Sequence, residues 1–264
     1  MLAGISVEYY TRLERGNANG VSEDVLDGIS RALQLDEAER AHLFDLVRTS
    51  STTRPARRRP AQERVRPIVQ RILDGMTFPA YVRNGRLDIL AANQFGVALY
   101  SEVFADPVRP ANMGRFIFLN QRATEFFHGW ESVADDAVAI LRAEAGRDPY
   151  DRRLSDLIGE LSTRSEEFRV RWAAHNVKYH RTGAKRLHHP IVGDLTLAFE
   201  AFELSADDGQ RINVYTAEPG SPSEEALNLL ASWTSTPAPV LTAEFGEAQG
   251  AGESVVAIDD QAEK

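Results

Sequence analysis

The hydrophobic period of this chain switches four times, and those switches restrict its architecture more than any bulk property does. From Ser6 to Arg48 apolar residues recur at helical spacing, with Tyr10 and Leu13 in one short segment and Val25, Leu26, Ile29, Ala32 and Leu33 in the next. Ser6 and Ser22 stand at N-cap positions, and Gly16 supplies a left-handed stop. Asp36 and Glu39 make a capping-box start for a third helix, with Leu43, Phe44, Leu46 and Val47 on its buried side. Val65, Ile68, Val69, Ile72 and Leu73 mark a fourth helix that ends at Gly75 and turns its apolar face toward a sheet; Pro67 sits in its first turn. Ala80 to Arg83, the pair Asn84-Gly85 and then Arg86 to Ala92 predict two strands joined by a two-residue hairpin. Helical text returns from Asn93 to about Trp172. Strands are then expected at Val177 to Thr182, Leu195 to Leu204 and Ile212 to Ala217, with a turn at Ala206 to Gly209, before a last helix from Pro222 through Trp233. Two strands, a helical block and three strands predict an α+β chain: one five-stranded antiparallel sheet with helices packed over one face.

Residues 49 to 60 have no periodicity and contain two prolines, which marks a boundary. The expected division is a helical domain over 1–48, a linker over 49–63, the sheet-containing domain over 64–234 and a disordered acidic tail over 235–264. That tail carries Glu244, Glu247, Glu253, Asp259, Asp260 and Glu263 against Lys264 alone. With a formal net charge of -9, binding to nucleic acid would have to come from a local patch. The absence of cysteine removes disulfides, thiolate nucleophiles and cysteine zinc sites. No apolar run approaches the roughly 18–20 residues of a membrane span, and the first residues lack a signal-peptide pattern, so a cytoplasmic protein is expected.

The segment from Gly4 to Gly16, Gly-Ile-Ser-Val-Glu-Tyr-Tyr-Thr-Arg-Leu-Glu-Arg-Gly, resembles the turn and recognition helix of the Xre family of helix-turn-helix regulators. The resemblance implies that Ser6 caps the helix, that Val7, Glu8 and Arg12 face base edges, and that Tyr9 and Arg15 lie toward the DNA backbone. A helix N-terminus enters the major groove readily, and an arginine one turn on reaches guanine O6 and N7. The plainer alternative is the solvated face of a small helical domain. Family members carry a first helix and most of a second before that glycine, whereas Met1-Leu2-Ala3 precede Gly4 here. The motif is therefore expected to be truncated at its amino end, and Glu14 to lack the arginine partner usual in that family. Loss of one partner costs roughly 3–5 kcal/mol where such a pair is buried, and weak or absent operator binding by these 264 residues is expected.

Most of the remaining text, from about Val65 to Trp233, resembles the MmyB-like ligand-binding domain of bacterial transcription regulators. The matching strings include Leu90-Ala-Ala-Asn93, Arg115-Phe-Ile-Phe-Leu119, Leu141-Arg-Ala-Glu-Ala-Gly-Arg-Asp-Pro149, Leu161-Ser-Thr-Arg-Ser-Glu-Glu-Phe168, His189-Pro-Ile-Val-Gly193 and Val214 to Ser221. Gly129 and Phe199 depart from that pattern, standing where an aspartate and a tyrosine are common. The resemblance implies a PAS-like fold and a pocket for a fatty-acid-like or similarly apolar small molecule. Trp130, Phe168 and Trp172 offer apolar area, and Arg115, His175 and His189 suit the orientation of a polar head. Core packing is the alternative for the aromatics, and ordinary buried hydrogen bonding for the histidines.

No metal site is expected: His175, His180, His188 and His189 lack a cysteine or a helical His-x-x-x-His pair, and His188 and His189 alternate across a strand. No nucleophile elbow, P-loop or dinucleotide fingerprint is present, and Asp135-Asp136 read as a solvated helix edge. The expectation is a DNA-binding transcription regulator without catalytic residues or cofactor. Its partners would be a double-stranded DNA operator and an apolar ligand, with a homodimer left open and no membrane. A sensor or dimerisation protein that has lost DNA binding is the alternative.

Overall fold

A computed structural model describes residues 5–18, 20–51, 64–174 and 182–234. His175, most of the strand expected at 177–182 and the tail from 235 lie outside the described residues. Local chemistry sets where the first helices begin. Ser6 caps α1 (Val7–Glu14) by accepting a hydrogen bond from the Tyr9 amide at 3.1 Å, and Gly16 follows at a φ of 81°. Ser22 precedes α2 (Glu23–Ala32) without a side-chain cap bond. The box that opens α3 (Glu37–Ser51) closes both ways: the Asp36 amide donates to Glu39 Oε2 at 2.8 Å, and the Glu39 amide to Asp36 Oδ1 at 3.0 Å. Arg40 then grips Asp27 of α2 through Nε and Nη2 at 2.9 and 2.8 Å. The stripe expected on these helices is only partly covered. Tyr10 and Leu13 are half-buried, α1 buries none of its residues, and Leu33 is 52% exposed.

After α4 (Pro67–Gly75) come β1 (Ala80–Arg83) and β2 (Ile89–Ala92). Seven helices follow: α5 (Gln94–Leu99), α6 (Ser101–Phe104), α7 (Met113–Leu119), α8 (Ala123–Phe126), α9 (Trp130–Arg147), α10 (Arg152–Arg164) and α11 (Glu166–Ala173). β3 (Thr182–His189), β4 (Gly193–Glu203), β5 (Arg211–Thr216) and α12 (Pro222–Thr234) complete the described chain. The five strands form one antiparallel sheet in the order β2-β1-β5-β4-β3. The protein is an α+β fold. Among the described residues no helix is long and apolar enough to cross a membrane.

Two expectations are corrected here. Helices cover both faces of the sheet, because the stripe of α4 buries Val69 and Leu73 against Ala80, Val82 and Ile212, away from the main core. The Asn84-Gly85 pair does not form a two-residue hairpin. Strand pairing resumes only at Arg83↔Ile89, and the positive φ falls on Leu87, at 65°. Asn84 builds that longer loop by accepting the amides of Arg86 and Asp88, each at 3.0 Å. Gly85 lies against α9 instead: a Cβ there would meet the Glu144 carboxylate, the end of a side chain.

Candidate ligand-binding site

The inner face of the sheet and the first half of α9 enclose a cavity of about 70 Å³. Strand alternation aims Tyr81 of β1, Phe199 of β4, and Asn213 and Tyr215 of β5 into it, while Val133, Asp136, Ala137 and Ile140 close it from α9. Three buried tyrosines form one wall. The Tyr81 hydroxyl lies 3.2 Å from that of Tyr215, and the Tyr100 ring meets both edge-on at 5.4 and 5.5 Å. Burial pushes all three phenols well above their usual value of 10, so each is a protonated donor at neutral pH. Lys185 of β3 reaches Asp136 at 3.2 Å and sits over the Phe199 ring. Asp136 is buried, which corrects its reading as a solvated edge; Asp135 beside it is exposed and pairs with Arg171. Asn213 is buried with its Oδ1 unpartnered, a condition few native side chains tolerate.

Next to this cavity, a second space of about 200 Å³ lies between α3, the second half of α9 and the ends of β1, β4 and β5. Arg83 and Ile140 border both. His42 of α3 rests on Gly146 of α9, where a Cβ would fall within 3 Å of its ring. The same helix therefore walls the inner cavity and seats the amino-terminal helices.

The residues singled out for ligand contact lie elsewhere, in three places. Phe168 is fully buried in the core, stacked on Trp172 at 5.6 Å and edge-on to Phe118 at 5.1 Å. Arg142 covers the Trp172 ring, and Trp130 Nε1 donates to the Ile117 carbonyl at 3.0 Å. Arg115 pairs with Glu160 at 2.8 Å between α7 and α10. His189 is buried beside α5, its Nε2 3.0 Å from the Ala98 carbonyl and its Nδ1 accepting the Ile191 amide at 3.3 Å. Burial lowers its pKa. None of these five lines the cavity. On α1, Val7 is 82% exposed, Glu8 and Arg12 are exposed, and the Arg12 guanidinium stacks over the Tyr9 ring at 4.9 Å. Arg15 follows the helix, also exposed.

With the sheet, the cavity and α9 in place, residues 65–230 match the model of the MmyB-like transcription regulator ligand binding domain. The chain belongs to this family. The matched span runs from just before α4 into α12 and takes in every strand and the whole of α9. Among curated proteins, none matches the chain. The MmyB-like domain is thus a ligand-sensing module of a transcription regulator, with a cavity walled by tyrosines. Its inward polar positions were missed in the sequence because Ile212 and Val214 look like the core side of β5. Ile212 is buried and Val214 half-buried, but on the α4 face, which leaves Asn213 and Tyr215 pointing at the cavity.

Proposed function

We propose that this protein is a cytoplasmic, ligand-responsive, DNA-binding regulator of Xre type whose PAS-like domain senses a small molecule with an apolar body and a polar head. It acts by binding and not by catalysis. The observation that carries the proposal is the double role of α9: Val133, Asp136, Ala137 and Ile140 wall the cavity, while Gly146 meets His42 of α3 and Ala143 and Glu144 share the second space with that helix. A cavity of about 70 Å³ holds a few water-sized groups, well short of the roughly 300–1,000 Å³ of a drug-sized site. A fatty-acid-like body enters only by displacing a wall. Displacing α9 moves the seat of α3, and with it the helices that present α1. The head that fits both accepts from phenol hydroxyls and donates to Asn213 Oδ1, as a hydroxyl or a protonated carboxyl does.

Ser6, Val7, Glu8, Tyr9, Arg12 and Arg15 are the proposed DNA contacts, supported by the exposure of α1. A ligand switches such a regulator only if it binds the two arrangements of α3 unequally. Selection from random duplex DNA, with and without dodecanoate, tests this. A selected sequence should be retained by the wild type, lost with Arg12→Ala, and change affinity when dodecanoate is present; equal affinity with and without it would exclude the switch. One observation favours the second reading, a sensor without DNA binding. Because α1 buries none of its residues, its orientation rests on few contacts.

A further inference from the structure

We propose that His128, His188 and Asp194 form a binding site for a borderline divalent transition metal such as Zn²⁺ at the rim of the sheet. The site is separate from the cavity and from the α1 surface. His188 and Asp194 face each other as a register pair across the β3–β4 hairpin. His128 comes from the loop between α8 and α9, where backbone pairing fixes it: its amide donates to the Arg186 carbonyl at 3.1 Å, and Phe127 bridges to Leu187. Both rings converge on one carboxylate oxygen. Asp194 Oδ1 lies 2.6 Å from His188 Nδ1 and 3.1 Å from His128 Nε2, and the three ligand atoms fall within 4.8 Å of one another.

A tetrahedral ion with bonds of about 2.0–2.2 Å holds its ligand atoms roughly 3.3 Å apart. Opening the present contacts to that spacing needs side-chain rotation only, since all three side chains are exposed on a backbone that strand pairing already holds. Two imidazoles and one carboxylate suit Zn²⁺, Ni²⁺ or Cu²⁺, whereas Mg²⁺ prefers an all-oxygen set. Three protein ligands leave a coordination position open. The competing account is two surface pairs on one carboxylate oxygen, which stabilise by only about 0–1 kcal/mol and would leave Zn²⁺ without a saturable site. Sequence spacing hides the set: His188 and Asp194 are joined only by the hairpin, and His128 lies far ahead of both. A bound ion would tie the sheet to the start of α9, two residues beyond His128.

Isothermal titration of the metal-stripped full chain with Zn²⁺ tests the site. One equivalent should bind in the micromolar range or tighter, with no comparable heat from Mg²⁺. His128→Ala, His188→Ala and Asp194→Asn should each weaken it by more than the roughly 10–100-fold that loss of an outer-shell partner causes. Unfolding curves in chelator keep the test sound. The variants should unfold like the wild type there, and Zn²⁺ should raise the midpoint of the wild type alone. Absence of a saturable step in the wild type, or wild-type affinity in all three variants, would overturn the proposal.

Discussion

Asn93 ties more structure together than any neighbouring residue. Its buried Oδ1 accepts the amides of Ala80 and Gly96 at 3.1 and 2.8 Å, and its Nδ2 donates to the carbonyls of Phe78 and Met76 at 2.8 and 3.3 Å. It thus joins the start of β1 to the cap of α5. Asn93→Ala leaves those groups dry, and at roughly 1–3 kcal/mol per unsatisfied group the loss should reach about 3 kcal/mol or more, read by urea unfolding. His189 gives a pH prediction. The arrangement that satisfies both ring nitrogens is neutral, with the proton on Nε2 toward Ala98; a second proton on Nδ1 would face the Ile191 amide. The folded pKa lies below the ordinary 6.5, chiefly through burial. The unfolded state binds the extra proton first. Stability from this group is complete above about 6.5 and is lost as the pH falls toward and through the folded value. Between about pH 7.5 and 5.5 the wild type should lose more stability than His189→Gln, leaving a residual slope of the same sign from His42, whose pKa burial also lowers. Asn93 was legible as part of a motif. The tyrosines were not, because nothing local marks which face of a strand meets a cavity.

At the scale of elements, two glycines separate flexible from rigid obstruction. A Cβ on Gly96 of α5 would strike the Ala80 carbonyl, a backbone atom of β1. One on Gly85 would strike the Glu144 carboxylate, the end of a side chain that can rotate. Gly96→Ala should therefore cost roughly 1–3 kcal/mol and Gly85→Ala less than about 1 kcal/mol, compared by thermal unfolding. Equal losses would show that Glu144, held by Arg147, is as fixed as backbone. The strong hairpin signal at Asn84-Gly85 located the turn but not its length. The side-chain bonds of Asn84 and the approach of α9 decide that, and both depend on residues distant in sequence. β4 and β5 were legible from period and turn chemistry. The described β3 past Thr182 went unread, since Thr182 to Arg186, mostly exposed, shows little alternation of apolar residues.

At the scale of the whole molecule, the sequence separated the helical segment from the sheet but gave no sign that the two are packed together. The link, α3 on α9 through His42 and Gly146, joins residues about a hundred positions apart and leaves no periodic trace. The proposed switch rests on this link, because one helix both walls the cavity and seats α3. Ala201, half-buried on β4, lines the cavity and offers a position to plug it without entering the core. Amide hydrogen exchange of the full chain with dodecanoate, for the wild type and Ala201→Phe, tests this most directly. The account predicts that α9 and α3 change exchange together in the wild type, α3 becoming faster, and that neither changes in Ala201→Phe. Binding that leaves α3 untouched, or that persists unaltered in the plugged variant, would contradict it.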